Sequence, residues 1–259
     1  MKASERTWLI DLDGTMYKGN QNIEGAREFI AFLQKQKAEY LFVTNNATRT
    51  CLQNAEHMHK LGFTNLCERD FFTSAMASAS YIARHFDQRR AAYLGEAGME
   101  EALLANHFQI CDEHADFLFV GLQKQSDFMD YSRALNILLG GAKLVGTNAD
   151  RRLPDGDDYL IGNGAVVEML SYASEQLPIM IGKPNASMME EVMLYLGKAK
   201  SECIVLGDNL ETDIAFGMNN EMDTVFVSSG VHTFEDVKKC HSKPYMQVSD
   251  LYELMELLV

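Results

Sequence analysis

Two carboxylates that are two residues apart, Asp11 and Asp13, are the side chains of this chain best suited to chemistry. They follow the apolar segment Trp8–Ile10, which is typical of a buried strand. Side chains at positions i and i+2 of a strand point the same way, so both acids face one side before Gly14 and Thr15 break the strand. The pair predicts a cation site, or a carboxylate nucleophile beside a second carboxylate that moves protons.

Three more polar clusters follow segments that are predicted to be strands. They are Thr44 with Asn45 and Asn46 after Tyr40–Val43, Lys183 after Ile179–Ile181, and Asp208 to Asp213 after Cys203–Leu206. Ligands bind beyond the carboxyl ends of the strands in open parallel sheets, so one sheet would bring all four clusters together. Carboxylates, hydroxyl and amide donors and one ammonium favour phosphoryl transfer with a hard cation such as Mg²⁺.

Each of these clusters also has a simpler interpretation when it is taken alone. Thr44 to Asn46 could form a helix-capping turn, and Lys183 could be an ordinary surface lysine. Asp208 and Asp213 could be a helix cap and a partner of the helix dipole. The joint hypothesis is favoured because all four clusters fall at predicted strand ends.

Strands alternate with amphipathic helices along the chain, which predicts an α/β fold with a doubly wound parallel sheet. Ala26, Phe29, Ile30 and Leu33, for example, have the spacing of a helix that buries one face. A second α/β series occupies the middle of the chain. We therefore expect a Rossmann-like core formed by residues 1–78 and 179–259, with an inserted α/β domain at residues 79–178.

Composition narrows the class of protein. With 259 residues, 47% hydrophobic residues and 4 Pro, the chain is expected to form a packed core. Its net charge of −14 argues against nucleic-acid binding, which requires basic patches. The five cysteines show no metal-ligand spacing and favour reduced thiols in a cytoplasmic protein. We expect neither a signal peptide nor a membrane helix, because no apolar run approaches about 18 residues.

The four clusters resemble the motifs of haloacid dehalogenase (HAD) superfamily phosphatases, in the NagD-like branch (type IIA) with a C2a cap. The DxDxT motif resembles Asp11–Thr15, the Thr/Ser motif Thr44, the lysine motif Lys183 within Ile181–Pro184, and the GDxxxTD motif Gly207–Asp213. Signatures of the branch's cap also occur at Gly146–Asp150 and Gly162–Ala165. The resemblance covers essentially the whole chain and implies that residues 79–178 are the C2a cap, which selects substrates.

The resemblance also implies a role for each residue. Asp11 would be the nucleophile that forms an aspartyl phosphate, and Asp13 would be the general acid and base. Mg²⁺ would be bound by Asp11, Asp208 and the backbone carbonyl of Asp13, with Asn209 and Asp213 as outer or water-mediated ligands. The phosphate would be bound by the turn amides of Leu12 and Asp13, by Thr44, Asn45 and Asn46, and by Lys183.

The expected function is therefore a Mg²⁺-dependent phosphatase of a small phosphorylated metabolite. Sugar phosphates, nucleoside monophosphates and pyridoxal phosphate remain open as substrates. Gln123 and Lys124 stand where the branch commonly has an acidic residue, so a substrate is not carried over from a relative. The alternative is a non-catalytic phosphometabolite-binding protein on the same fold. A mutase and a dehalogenase are less favoured. Relatives imply a homodimer formed through the cap.

Overall fold

The computed structural model describes residues 2–155, 158–240 and 243–258. The chain divides into two compact units. The core unit consists of Met1–Thr44, Cys51–Phe72 and Val192–Val259, and the inserted unit consists of Asn45–Thr50 and Thr73–Glu191. Each unit contains its own parallel sheet, so the chain has the α/β fold class that the sequence predicts.

The strands alternate with helices, as the apolar periodicity predicts. The strands are β1 (Thr7–Ile10), β2 (Tyr17–Lys18), β3 (Gln21–Asn22), β4 (Tyr40–Thr44), β5 (Phe71–Thr73), β6 (Arg90–Leu94), β7 (Gln109–Ile110), β8 (Phe117–Val120), β9 (Lys143–Gly146), β10 (Arg152–Asp155), β11 (Asp158–Ile161), β12 (Ile179–Met180), β13 (Cys203–Gly207), β14 (Asp223–Val227) and β15 (Met246–Val248). The helices are α1 (Ala26–Lys35), α2 (Cys51–Lys60), α3 (Ser74–His85), α4 (Ala97–Ala105), α5 (Phe128–Leu139), α6 (Asn163–Ser174), α7 (Ala186–Leu196), α8 (Ala215–Met218), α9 (Phe234–Lys239) and α10 (Leu251–Leu257). One π-helical turn, Leu210–Ile214, directly precedes α8.

The sheet of the core unit has the strand order β15-β14-β13-β1-β4-β5. Strand β1 pairs in parallel with β13 on one side and with β4 on the other, so that Ile10 lies between Leu206 and Phe42. Every residue of β1 and β13 is buried. These strands read as continuous apolar runs because helices cover both faces of such a sheet. The carboxyl ends of β1, β4 and β13 therefore lie side by side at one edge.

The sheet of the inserted unit has the strand order β12-β9-β8-β6-β7, and its pairs are parallel. Its core lies where β8 and β9 pack with α5 and α6, and includes Leu118, Val120, Leu138, Leu144 and Val167. The sequence pattern predicts helices at Ser74–His85 and Phe128–Leu139, and α3 and α5 have these bounds. None of the helices in the described ranges combines the length and apolarity needed to cross a bilayer.

The structure corrects one sequence prediction about the sheets. The strand before Lys183 was expected in the same sheet as the strand before Asp11. Instead Ile179–Met180 pairs in parallel with Val145 and Gly146 of the inserted unit. A two-residue apolar strand carries no pattern that specifies its partner, so the periodicity could not decide between the sheets.

The sequence also gave no indication of two hairpins. Strands β2 and β3 form one directly after Thr15, and β10 and β11 form the other in the inserted unit. The sequence pattern predicts a helix from about Thr48 to Leu61, whereas α2 begins at Cys51. Two-residue strands such as β2 and β3 are too short to show an alternation of apolar and polar residues.

Candidate active site

Three buried carboxylates meet at the edge of the core sheet. Asp11 follows β1 and Asp208 follows β13, and the two adjacent strands are locked in register as Asp11 N–H donates to Leu206 O at 2.9 Å. One carboxylate oxygen each of Asp11, Asp208 and Asp213 lies within 4.8 Å of the other two. The three side chains are 9% exposed or less. Parallel pairing thus places two acids side by side, although 197 positions separate them (208 − 11).

The loop after β13 brings Asp213 back to the same place. Asn209 N–H donates to Asp213 Oδ2 at 3.1 Å, and the Asn209 side chain accepts a hydrogen bond from Glu211 N–H at 2.9 Å. Gly207 permits this fold because a Cβ on that residue would lie 2.3 Å from Asp213 Cβ. Asn209 therefore supports Asp213 through its backbone, while Asp213 offers an oxygen to the cluster.

Asp208 is the most enclosed of the three acids. Its Oδ1 accepts a hydrogen bond from Thr15 Oγ1 at 2.9 Å, and its Oδ2 accepts one from Val231 N–H at 2.7 Å. Burial and the neighbouring Asp213 carboxylate raise the pKa of Asp208 to about 6, against the lowering effect of those two donors. The raised pKa reflects the cost of an ionised carboxylate that is buried beside a second acid.

The cluster fits a hard divalent cation. It offers oxygen ligands only, which suits Mg²⁺ or Ca²⁺ and not a soft metal. Buried carboxylates of like charge are costly unless a cation is bound or a proton is taken up, and the raised pKa of Asp208 is the sign of that cost. Among the described residues, Asp11, Asp208 and Asp213 form the group of acidic, His or Cys side chains able to hold a metal ion.

Asp13 differs from its neighbour Asp11 because its side chain is exposed. The side chain of Leu12 is buried, and the Leu12 carbonyl accepts hydrogen bonds from Met16 N–H at 2.9 Å and Tyr17 N–H at 3.3 Å. These bonds form a tight turn that turns the chain back directly after Asp13. One acid of the pair thus lies in the buried cluster, whereas the other is open to solvent, which suits unequal chemical roles.

The second predicted cluster is divided between the units. Thr44 ends β4 in the core unit and is buried, next to the strand that carries Asp11. Asn46 Oδ1 accepts hydrogen bonds from Thr48 N–H at 3.0 Å and from Thr48 Oγ1 at 2.7 Å. Asn46 thus forms a local turn with Thr48, and this turn does not cap a helix because α2 begins only at Cys51.

Lys183 lies in the inserted unit, where Asn45 holds its backbone. Asn45 Oδ1 accepts from Lys183 N–H at 2.8 Å, and Asn45 Nδ2 donates to Lys183 O at 3.1 Å. Lys183 is only 3% exposed, so the alternative of a surface lysine is wrong. Asn148 extends the network by donating to Asn45 O at 2.8 Å, and Asn163 donates to Asn148 O at 3.3 Å.

The sequence did not single out a loop that encloses Asp208, although this loop follows the buried strand β14. Ser229 Oγ donates to Gly14 O at 2.7 Å, and Val231 supplies the N–H that reaches Asp208. A Cβ on Gly230 would lie 1.8 Å from Asp208 Oδ2, so the backbone must approach the acid without a side chain. The polar run Ser228-Ser229-Gly230 at a strand end was the available signal.

Comparison with protein families gives a consistent result for both ends of the chain. Residues 8–109 match the family described as haloacid dehalogenase-like hydrolase, and residues 180–254 match a related HAD-hydrolase-like family. An acid sugar phosphatase of Staphylococcus saprophyticus is 35% identical over 254 residues, which is 98% of each chain. The 5′-nucleotidase YutF of Bacillus subtilis is 36% identical over 246 residues, covering 95% of this chain and 96% of that protein.

Solved structures agree with these sequence matches. A glycerol phosphate phosphatase of Mycobacterium tuberculosis, crystallised in complex with magnesium, superposes with a TM-score of 0.90 at 29% identity. The match covers 99% of this chain and 79% of that one. Both family matches contain predicted motifs, Asp11–Thr15 and Thr44 in the first and Lys183 and Gly207–Asp213 in the second. The chain therefore belongs to the haloacid dehalogenase-like hydrolase family and is a phosphatase.

Proposed function

We propose that the protein is a Mg²⁺-dependent phosphomonoester phosphatase that acts through an aspartyl phosphate on Asp11. The observation that carries this proposal is the buried cluster of Asp11, Asp208 and Asp213 next to the exposed Asp13. Phosphoryl transfer requires a carboxylate nucleophile, a cation that offsets the phosphate charge, and an acid for the leaving oxygen. The three buried acids and Asp13 supply these functions in one short stretch of the core sheet edge.

Mg²⁺ would be held by the carboxylates of Asp11 and Asp208 and by the backbone carbonyl of Asp13, with Asp213 and Asn209 in support. When bound, the ion neutralises charge on the phosphoryl group and on the acids around it. Thr15 Oγ1 and Val231 N–H keep both oxygens of Asp208 fixed. The relative crystallised with magnesium agrees with this choice of cation.

The two acids of the first motif divide the chemistry between them. Asp11 attacks phosphorus with a carboxylate oxygen, and the bond from phosphorus to the substrate oxygen breaks. Asp13 gives its proton to that departing oxygen, which leaves as an alcohol. Asp13 then takes a proton from the water that attacks the aspartyl phosphate. The bond between phosphorus and the Asp11 oxygen breaks, which releases inorganic phosphate and regenerates the free carboxylate of Asp11.

The phosphate is proposed to be bound by the amides of Leu12 and Asp13 and by the hydroxyl of Thr44. Lys183 retains the role that the family resemblance implies, a donor of positive charge to the phosphate. For Asn45 and Asn46 a phosphate contact stays a prediction, and the amide of Asn45 is already engaged with the backbone of Lys183.

The substrate is proposed to be a sugar phosphate or a nucleoside monophosphate, with pyridoxal phosphate still to be tested. Relatives named acid sugar phosphatase and 5′-nucleotidase match the whole chain about equally well, which supports the class without selecting a member. Selection by an inserted cap at residues 79–178, a homodimer through that cap, and a cytoplasmic location stay predictions.

The proposal is tested by measuring phosphate released from a panel of phosphomonoesters that includes sugar phosphates, nucleoside monophosphates, pyridoxal phosphate and p-nitrophenyl phosphate. We expect turnover with Mg²⁺, none after chelation, and recovery when Mg²⁺ is restored. Asp11→Asn should abolish turnover while circular dichroism stays unchanged, because the amide cannot form the acyl phosphate. Turnover in Asp11→Asn would exclude the nucleophile assignment.

The non-catalytic alternative gives a different result in the same panel. A binding protein would show thermal stabilisation by a phosphorylated metabolite without releasing phosphate. That pattern, obtained with Mg²⁺ present, would replace the phosphatase proposal with a binding function.

A further inference from the structure

The turn that carries Asp13 is continuous with the β2–β3 hairpin. Asp13 forms a backbone bridge with Tyr17, the first residue of the hairpin. Gly14 N–H also donates to Tyr17 O at 2.8 Å, so a second backbone contact links the Asp13 turn to the hairpin. Any movement of the hairpin is therefore transmitted to the backbone of Asp13 through hydrogen bonds that span only four residues.

This hairpin needs an external support. Each of its strands has two residues, and an isolated two-stranded hairpin is at best marginally stable in water. Helix α2 of the same unit provides contacts at both of its strands. The His57 ring packs edge-on against Tyr17 with centroids 4.9 Å apart, and Asn22 Nδ2 donates to Leu61 O, directly after α2, at 2.6 Å.

His57 also reaches the tip of the hairpin, because its Nε2 lies 3.1 Å from the carbonyl oxygen of Gly19. A carbonyl oxygen only accepts hydrogen bonds, so Nε2 must carry the proton in this contact. Gly19 itself has a φ of +58° and no atom within 4 Å of its Cβ position, so the tip packs against nothing on that side. The bond from His57 is therefore a direct restraint on an otherwise open turn.

We propose that His57 is a positioning residue that fixes the β2–β3 hairpin and, through it, the general acid Asp13. His57 does not touch the reacting atoms. It acts by donating Nε2–H to Gly19 O and by packing on Tyr17, which limits the range over which the Asp13 turn can move. This inference rests on the proposed function, because it assigns His57 a role in protonation of the leaving group.

The role predicts a dependence on the leaving group. An alkyl phosphate needs a proton on its departing oxygen, whereas p-nitrophenolate leaves as a stable anion. A misplaced Asp13 therefore slows alkyl phosphates more than p-nitrophenyl phosphate. The ratio of kcat/KM values is the suitable measure, because kcat/KM ends with the first irreversible step, which is departure of the alcohol, and excludes hydrolysis of the aspartyl phosphate.

The experiment compares kcat/KM for p-nitrophenyl phosphate and for an alkyl phosphate that the wild type hydrolyses, both with Mg²⁺. The variants are His57→Ala, His57→Gln, which can still donate to Gly19 O, and His57→Phe, which keeps only the ring. We expect His57→Ala and His57→Phe to lower the alkyl value about tenfold and the aryl value less than about threefold, given that general acids contribute about 10²–10⁴-fold. His57→Gln should recover most of the alkyl value.

His59→Ala is the matched control, since His59 is on the same helix, two residues away, and exposed. It should leave both values unchanged. Asn22→Ala loosens the hairpin from its other contact with α2 and should show the same selective loss, which tests the idea even if a His57 variant fails to fold.

The outcomes separate the possible explanations. Equal losses for both substrates, or full activity in His57→Ala, would overturn the positioning role. A His57→Phe variant equal to wild type would overturn the hydrogen bond as its basis. A wild type that hydrolyses neither p-nitrophenyl phosphate nor any alkyl phosphate tested with Mg²⁺ would instead reject the proposed function itself.

Discussion

The core unit and the inserted unit are both parallel α/β sheets, yet their strand ends are built from different chemistry. The core sheet ends in the buried carboxylates of Asp11, Asp208 and Asp213. At the inserted sheet, Asn148 follows β9, and Asn163, the first residue of α6, donates to Val120 O at the end of β8. The first edge carries buried acids, whereas the second carries neutral amides.

The difference concerns which polar groups are bonded within the protein. An amide both donates and accepts, and the Nδ2 groups of Asn148 and Asn163 donate to main-chain oxygens, although Asn163 Oδ1 is buried without a hydrogen-bond partner among the described residues. Ionised carboxylates only accept, and the few donors around Asp208 leave its pKa raised to about 6. The amide edge is suited to holding a structure together, whereas the carboxylate edge concentrates buried oxygen ligands that a hard cation would bind, which makes it the candidate site.

The largest effect that tests this contrast is expected from Asp208→Asn. Removing a carboxylate from the cluster should lower kcat at least about a thousandfold. In metal-free protein at pH 8 the same change should raise the free energy of unfolding, because it removes a buried charge next to Asp213. Phosphate release and urea unfolding with a chelator measure the two quantities. The control is Asp112→Asn, which replaces an exposed acid of the inserted unit and should change kcat and the free energy of unfolding little.

The amide edge should respond in the opposite way. Asn163 donates from Nδ2 to Val120 O at 3.0 Å, to Thr147 Oγ1 at 3.1 Å and to Asn148 O, and it is buried. Asn163→Ala should lower the free energy of unfolding by about 3 kcal/mol, because Thr147 Oγ1 and Asn148 O lose a donor and each buried acceptor left without a donor costs about 1–3 kcal/mol, whereas Val120 O keeps its bonds from Thr147. Urea unfolding of the wild type and the variant measures this loss of stability.

The control for that variant is Asn136→Ala, at an exposed position on α5, which should change stability by less than about 0.5 kcal/mol. A stability loss in Asn163→Ala no larger than in Asn136→Ala would contradict the view that the amide edge is structural.

An effect of similar size is expected in the pH dependence of metal-free protein. The pKa of Asp208 is raised from 3.8 to about 6 in the folded state, so the folded state binds this proton more tightly than the unfolded state does. The Asp208 contribution to the free energy of unfolding therefore falls as pH rises from 3.8 to about 6, by about 3 kcal/mol in total.

This contribution is obtained by comparing unfolding curves of wild type and Asp208→Asn across that range, with a chelator present. The difference between the two proteins should grow in favour of the variant until about pH 6 and then level off. A difference that does not depend on pH would contradict the origin of the raised pKa in burial and in the Asp213 carboxylate.

The smallest effect is expected at the exposed ion pair of Asp112 and Arg133, whose charged atoms are 2.7 Å apart. Both side chains are more than a third exposed, so solvent screens the pair. Asp112→Asn should change the free energy of unfolding by less than about 0.5 kcal/mol. A loss as large as that of Asn163→Ala would remove the distinction between exposed charge and buried amide.

Local sequence was sufficient for several elements and for the nature of the site. The bounds of α5 were predictable because Asp127 caps its start and the apolar residues repeat with helical spacing. Helix α3 begins in the same way, with the Thr73 side chain accepting from Met76 N–H at 3.2 Å. The spacing of Asp11 and Asp13 after an apolar strand likewise predicted an acid pair at a strand end.

Partners that are distant in sequence could not be predicted. Nothing in Ile179–Met180 indicates that it pairs with β9 of the inserted unit. Thr15 and Val231, which bind the two oxygens of Asp208, belong to segments that no spacing rule connects to it. These contacts depend on which strands become neighbours, a property of the whole fold.

The sequence alone determined which groups this protein has for its chemistry and in which order they follow strands, because strand periodicity and turn residues are local. The tertiary structure decided that three of the acids share one buried cluster, that Asp13 stays exposed, and that Lys183 is held by Asn45 in the other unit. Burial and proximity set the pKa of Asp208 through residues up to 193 positions away, so these properties exist only once the strands have paired.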